Sequence, residues 1–116
     1  MNLTINNQQY DLTFGLDFIN HLDKKYYIDQ NGFKIGQGLT YVKVQLELGN
    51  PLILIDLIVA GTIKKDMIKM EEIKYFIEHE ADIEELITAF STAIEKAPIT
   101  RFTMKKLRLL EKQTIQ

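Results

Sequence analysis

Few side chains in this sequence have the type and spacing needed for acid–base chemistry. Asp56 is the only polar residue between Pro51 and Ala60, and burial of a lone carboxylate would raise its pKa toward the range of a general acid or base. A core helix usually shows one edge to solvent, where a carboxylate stays hydrated or paired. We therefore expect Asp56 to be exposed or salt-bridged rather than catalytic.

Metal and phosphate sites are not predicted either. His21 has no second ligand at position i+4, and Glu78-His79-Glu80 lacks the H-E-x-x-H spacing of a zinc helix. The glycines between residues 27 and 38 fit neither a P-loop nor a dinucleotide-binding fingerprint. Since no nucleophile–base pair is evident, we expect no catalytic residues, no cofactor and no metal, and we predict that the protein is not an enzyme.

Composition indicates one globular domain. The chain has 116 residues, of which 46% are hydrophobic and 26% are charged, and it contains no cysteine. The predicted domain spans residues 1–112, and residues 113–116 should form a frayed tail. The first ten residues, MNLTINNQQY, lack the basic and apolar regions of a secretory signal, and a net charge of −2 argues against capture by nucleic acid or acidic membranes.

The most apolar stretch runs from Leu46 to Gly61, and the rest of the chain should pack around it. Its isoleucines would suit a buried strand, but its ends are those of a helix. Asn50 can serve as the N-cap, Pro51 occupies the first helical position, and Gly61 follows the last. At about 15 Å such a helix is too short to cross a bilayer, so we predict a buried central helix.

The first half of the chain predicts short strands followed by helices. Apolar residues alternate on both sides of Asn6-Asn7, which predicts a β-hairpin with one buried face. Over residues 16–26 the apolar spacing becomes helical. Residues 27–38 carry a turn signal that allows a second short hairpin. Residues 39–48 match both the strand and the helix template, and we predict a helix there.

The second half predicts three helices. An apolar stripe through Ile73 marks the first, and Asp82 opens the second as an N-cap with Glu85 in the capping-box position. The second helix should end near Ala97, because the next residue is proline. Thr100 can cap the third. The predicted fold class is α+β, mainly α, with the N-terminal β-hairpin packed on a small multi-helix domain.

Charge is unevenly distributed along these helices. Residues 66–85 carry eight acidic and two basic side chains, a net charge of −6, whereas residues 96–112 carry six basic and one acidic, a net charge of +5. Surfaces of opposite charge can join copies of a chain head to tail. The residues that we predict for self-association or partner binding are Phe102, Lys105, Lys106, Leu107, Arg108, Leu110, Glu78, Glu80, Glu84 and Glu85.

The order of these features resembles a known family. The segments are the hairpin region LTINNQQYDLTFGLDFINHLDKKY, a GQGL turn, the apolar GNPLILIDLIVAGT, the acidic EADIEEL and the basic MKKLRLLEK. Together they resemble the tail assembly chaperones of long-tailed phages that infect Gram-positive bacteria. The resemblance covers nearly the whole chain, rests on core and turn patterns, and also favours a helix at residues 39–48.

The resemblance implies a non-enzymatic protein of the host cell cytoplasm that is absent from the mature virion. Such proteins associate with themselves, bind the tape measure protein, keep it soluble, and help to recruit the major tail tube protein around it. A longer frameshifted form with the same N-terminal domain is a further implied partner. Nucleic acid and membranes are not expected among the partners.

Two other classes of function stay open at this point. One is a small helical nucleic-acid-binding regulator that uses the basic C-terminal helix, whose affinity should fall steeply with salt. The other is a structural component of the virion, which mass spectrometry of mature particles would detect.

Overall fold

The computed structural model of the protein describes residues 1–62 and 68–114. The elements, in chain order, are β1 (Asn2–Ile5), β2 (Gln8–Asp11), α1 (Leu16–Lys25), β3 (Tyr27–Gln30), β4 (Phe33–Gly36), α2 (Gly38–Glu47), α3 (Leu52–Gly61), α4 (Met70–Tyr75), α5 (Ile83–Lys96) and α6 (Arg101–Thr114). Helix predominates, and β1–β2 and β3–β4 form two separate antiparallel sheets. The predicted fold class is confirmed, as are the second hairpin and the helix at residues 39–48.

The N-terminal hairpin turns at Asn6 and Asn7, whose φ angles are 51° and 62°. Positive φ at both central residues is what a two-residue type I′ turn requires, and asparagine adopts it more readily than most residues. Leu3 pairs with Tyr10 across the two strands, and Ile5 is fully buried. The predicted hairpin with one buried face is therefore confirmed.

Helix α3 lies at the centre of the core, as predicted. Its side chains Ile53, Leu54, Leu57 and Ile58 are at most 2% exposed. Leu52, at the start of the same helix, points outward and is 68% exposed. The large apolar side chains that other helices contribute to this core, each buried to the same degree, are Phe18, Leu22, Val42, Ile73, Phe90, Ile94 and Met104.

The two ends of α3 differ from the prediction by one residue each. The helix begins at Leu52 rather than at Pro51, so Pro51 and not Asn50 stands at the N-cap position, although the Leu52 amide still donates a hydrogen bond to Asn50 Oδ1 at 3.1 Å. Gly61 is the last helical residue and not the one that follows it. A Cβ at Gly61 would lie 3.0 Å from the Leu12 side chain, so glycine lets the N-terminal hairpin approach α3 closely.

Asp56 is salt-bridged, as predicted, and its side chain is 13% exposed. Its carboxylate accepts hydrogen bonds from Lys25 Nζ at 2.5 Å and from the Tyr26 hydroxyl. Burial, followed by the hydrogen bond to Asp56, raises the pKa of Tyr26 well above its ordinary value. Because the Tyr26 ring also stacks on Tyr41 with ring centres 3.8 Å apart, this cluster joins α1, α2 and α3.

The connection between α4 and α5 contains a π-helical turn over Phe76–Glu80. The turn closes with a hydrogen bond of 2.8 Å from the Ala81 amide to the Phe76 carbonyl. Asp82 then caps α5 by accepting a hydrogen bond of 3.1 Å from the Glu85 amide, which confirms the predicted N-cap.

Thr100 stands before α6 but does not cap it with its side chain. Its buried hydroxyl donates to the Ile94 carbonyl at 2.5 Å and so closes the corner between α5 and α6. The predicted Thr100 cap is therefore wrong, because a tertiary contact uses the hydroxyl group. Helix α6 continues to Thr114, two residues into the segment that we expected to fray, and residues 115–116 lie outside the described part of the chain.

Candidate interaction surfaces

Helix α6 presents two different sides to its surroundings. Met104 packs into the core with 2% exposure, and Leu107 is partly buried beside it. Phe102 and Leu109 are 66% and 46% exposed. Residues seven apart lie almost two full turns from each other, so these two side chains share one face of the helix. That face is the one opposite Met104. We call Phe102, Lys106 and Leu109 the outer stripe of α6.

An open groove separates α6 from α2. Its volume is about 460 Å³, and its lining residues are Thr40, Lys43, Val44, Glu47, Leu107, Leu110 and Glu111. Val44 and Leu110 are 43% and 57% exposed, so each helix contributes an accessible apolar side chain to the groove. We call this site the α2–α6 groove. A concave apolar site with a charged rim is the type of surface that holds an apolar side chain of a partner.

Lys43 ties the two walls of the α2–α6 groove together. It is 7% exposed, its Nζ lies 2.9 Å from both carboxylate oxygens of Glu111 on α6, and it also bonds Glu47 on α2. Burial acts to lower the pKa of Lys43, but the hydrogen bonds to Glu47 and Glu111 outweigh it and leave that pKa raised. The stabilisation from this charge is therefore complete at neutral pH and is lost only when strongly alkaline pH passes the raised pKa.

The basic side chains of the predicted set do not all face the same way. Lys105 and Lys106 are exposed, and Lys106 Nζ lies 5.3 Å from the centre of the Phe102 ring, within cation–π distance. Arg108 turns toward α5, where its Nη1 is 3.8 Å from Glu95 Oε1. The structure therefore assigns Phe102, Lys105 and Lys106 to one surface and pairs Arg108 within the chain.

The acidic members of the predicted set are exposed where the π-helical turn meets α5. They are Glu78, Glu80, Glu84 and Glu85. The turn of the N-terminal hairpin is attached to α4, the helix that precedes these glutamates. The side-chain amide of Asn6 donates a hydrogen bond of 3.1 Å to Glu72 Oε1 on α4. Asp66, which begins the acidic stretch of the sequence, lies outside the described residues. This acidic surface thus belongs to elements other than α6.

The hairpin β3–β4 carries a further exposed apolar surface, which the predicted set did not include. Ile28 pairs with Ile35, and Gln30 pairs with Phe33. Directly paired residues share a face of the sheet, and so do residues two apart in a strand, so Ile28, Phe33 and Ile35 lie on one face. They are 48%, 75% and 42% exposed. We call these three residues the hairpin face.

The opposite side of this hairpin is polar, and its base is fixed to α1. Asp29 pairs with Lys34, whose Nζ lies 5.0 Å from the centre of the Tyr27 ring. At the base, the Gly38 amide donates to Asp23 Oδ1 at 2.8 Å. The two charged residues of the hairpin thus lie on one side of it, away from Ile28, Phe33 and Ile35.

The sequence as a whole also matches one protein family. Residues 2–108 match the family described as phage tail assembly chaperone protein, TAC. The chain belongs to the phage tail assembly chaperone family. The match extends from β1 into α6 and confirms the resemblance that the sequence suggested. No curated protein and no solved structure matches the chain.

Two further structural findings bear on this tail assembly chaperone. Within residues 1–62 and 68–114, no group of three or more His, Asp or Glu side chains is placed to hold a metal ion. In the same described ranges, no helix has both the length and the apolar character needed to cross a membrane.

Sequence reasoning found α6 of the chaperone but missed part of its surface. Leu109 could have been found, since it lies seven residues after Phe102 and therefore on the same helical face. Val44 could not have been found from the sequence, because its place in the α2–α6 groove depends on how α6 packs against α2. Leu107 and Leu110 were predicted together with Phe102, and the structure separates them from it by placing both in the groove.

Proposed function

We propose that this tail assembly chaperone binds the tape measure protein, called the client below, and keeps it soluble through the α2–α6 groove. It would act in the host cell cytoplasm, leave before the virion matures, and help to recruit tail tube subunits around the client. Self-association, including association with a longer frameshifted form, would align several grooves along one client. The observation that carries the proposal is an accessible apolar groove on a member of a tail assembly chaperone family.

The groove has the dimensions and chemistry suited to one face of an amphipathic helix. Helix α2 has 10 residues, so one wall of the groove is about 15 Å long, or close to three helical turns of a partner. Val44, Leu107 and Leu110 offer apolar contacts, while Glu47 and Glu111 provide charge at the rim. Helix-in-groove recognition uses this combination of apolar anchors and polar edges.

A single groove of this size would bind weakly. A long client helix exposes a repeating apolar stripe, which is a strong drive toward aggregation in water. Several chaperone copies that are themselves connected would engage that stripe together, and each bound copy would raise the effective concentration of the next. Self-association and client binding should therefore reinforce each other.

Co-expression with the tape measure protein of the same genome tests this proposal directly. The client should move from the pellet to the soluble fraction when the chaperone is present, and the complex should survive purification with a chelator and without nucleotide. A client that is equally insoluble with and without the chaperone would contradict the proposal. An unrelated domain of similar size and charge, expressed at the same level, serves as the control.

The charge distribution supports a proposal for self-association. The acidic surface of one copy, which includes Glu84 and Glu85 in the first turn of α5, would face Lys105 and Lys106 on the next copy. Such a contact is heterologous, so it produces rings or open spirals. Exposed ion pairs contribute only about 0–1 kcal/mol each and are screened by salt, so Phe102 on the outer stripe would supply much of the free energy.

Charge reversal tests this contact better than truncation, because α6 buries Met104 in the core. We expect the double variant Lys105→Glu with Lys106→Glu to have a lower oligomer mass, measured by light scattering. Adding Glu84→Lys and Glu85→Lys to the same chain should restore that mass. The control is Lys24→Glu, which reverses an exposed lysine on α1 and should leave the mass unchanged. An unchanged mass for the α6 variant would place the interface elsewhere.

A further inference from the structure

Helix α6 is anchored more firmly near its start than along the rest of its length. Just before the helix, Thr100 is fully buried and its hydroxyl donates to the Ile94 carbonyl at 2.5 Å, and Met104 in the first turn is 2% exposed. Further along, Leu107 is only partly buried and Leu110 is 57% exposed. Segments that bury few apolar side chains are displaced at a lower cost in free energy than the core. The half of α6 that forms one wall of the α2–α6 groove is therefore the half that packs less tightly.

A second open cavity lies beside this part of the fold, between α2 and α5. Its volume is about 340 Å³, and it is lined by three residues of α2, by five residues of α5 that include Ser91, and by Met104 of α6. We call it the α2–α5 cavity. Lys43 and Glu47 line both this cavity and the α2–α6 groove, so the two open volumes adjoin where Lys43 pairs with Glu111. A helix beside an unfilled cavity has room to move, which a close-packed interior does not provide.

We propose that the α2–α6 groove is adjustable: a bound client helix moves α6 away from α2 and toward α5, so that the groove accepts aromatic as well as aliphatic client side chains. This inference rests on the proposed role of the groove as the client site. In that role, copies of one groove meet successive segments of a long client, and the apolar side chains will differ in size from segment to segment. Proteins that bind many different segments use surfaces that re-pack around each of them. The client class is then an amphipathic helix with large apolar side chains on one face, aromatic ones included.

The charged contacts of α6 are compatible with this movement. Lys43 Nζ lies 2.9 Å from Glu111, and because lysine carries a point charge on a flexible four-carbon stem, the ammonium group follows its partner when α6 shifts. Glu47 and Glu111 are 52% and 42% exposed, so both carboxylates stay hydrated during the shift. A second ion pair joins Arg108 to Glu95 on α5 across 3.8 Å, and movement toward α5 shortens this pair rather than breaking it.

Filling the α2–α5 cavity tests the inference. Two peptides are copied from one client segment, with leucine at every apolar position in the first and phenylalanine in the second. The unmodified chain should bind both peptides with dissociation constants within about tenfold of each other. Ser91 lines the α2–α5 cavity but not the α2–α6 groove, so Ser91→Trp fills the cavity without touching the client. We expect this variant to bind the phenylalanine peptide roughly tenfold more weakly or worse, and the leucine peptide within about twofold of the unmodified chain.

Ala89→Trp is the matched control, since Ala89 is an exposed residue of α5 that lines neither the cavity nor the groove. It should leave both affinities unchanged. If Ser91→Trp lowers the melting temperature, Thr92→Trp repeats the test at a more exposed position that lines the same cavity. An equal effect of the cavity-filling variant on both peptides, or no effect on either, would overturn the inference. A preference of the unmodified chain for the leucine peptide by more than about tenfold would show that the groove is rigid.

A distance measurement observes the movement itself, and the absence of cysteine makes the labelling specific. Spin labels are attached at Ala89→Cys on α5 and at Lys112→Cys on α6, both of which are exposed positions. The distance between the labels should shorten by about 1–2 Å when the phenylalanine peptide binds, which is the usual size of a helix shift, and should stay unchanged with the leucine peptide. If both peptides bind and the distance never changes, the inference is wrong and the proposed function stands. If neither peptide binds the unmodified chain, the proposed function itself fails.

Discussion

A chain with Leu57→Asp should fail to fold and should accumulate as insoluble protein. Leu57 is fully buried in the central helix between Leu54 and Ile58, which are also fully buried. Losing the burial of one leucine costs about 1.5–3 kcal/mol, and an unpaired buried carboxylate costs more. A domain of this kind has a total stability of only about 5–15 kcal/mol. Circular dichroism of the refolded protein should show no cooperative thermal transition.

Leu52→Asp is the matched control, because Leu52 lies on the same helix and is 68% exposed. The same substitution at this site should change the free energy of unfolding by less than about 1 kcal/mol. If Leu57→Asp instead remains soluble and melts cooperatively, α3 is not the buried centre of the domain, and the packing described above is incorrect.

The double variant Val44→Glu with Leu110→Glu should lose the ability to keep the tape measure protein soluble. Both residues line the α2–α6 groove and are partly exposed, so charge at these positions should be tolerated by the fold but not by an apolar client face. Two carboxylates added to an already acidic rim would also repel acidic client segments. We expect client affinity to fall by roughly a hundredfold, measured by titration with a soluble client segment.

Leu16→Glu is the control for this variant, since it adds a carboxylate at an exposed leucine of α1 that does not line the groove. Its client affinity should match that of the unmodified chain, and thermal melting should confirm that both variants are folded. Equal affinity in the double variant and the control would exclude the α2–α6 groove as the client site and would move the search to the outer stripe of α6.

Much of the fold could be predicted because the local backbone preferences of the residues favour the same elements that form in the tertiary structure. Asn6-Asn7 and Asp82 each mark a boundary through a backbone preference that operates within a few residues. Where prediction was wrong, the residue concerned is in contact with another element of the fold. Gly61 is the last residue of α3 and lies close against the Leu12 side chain, and the Thr100 hydroxyl bonds to a carbonyl of the preceding helix.

The candidate surfaces were harder to predict than the fold. Position along the sequence grouped Phe102 with Leu107 and Leu110, but a helix distributes such neighbours over different faces. The α2–α6 groove also depends on Lys43, a residue whose burial between two glutamates is visible only after α2 and α6 have packed together. The hairpin face was missed because a strand of four residues is too short for alternation to identify its exposed side.

The root of the β3–β4 hairpin fixes the direction in which the hairpin points. Asp23 accepts the Gly38 amide, a Cβ at Gly36 would collide with the Asp23 side chain, and the Gln37 amide donates to the Tyr26 carbonyl at 2.8 Å. Contacts on both sides of the root hold the hairpin at one angle to α2. A partner that packs on the hairpin face would therefore be held at one fixed orientation to the helices. That orientation would be set by the contacts of Asp23 and Tyr26 with the three residues 36, 37 and 38 at the base of one small hairpin.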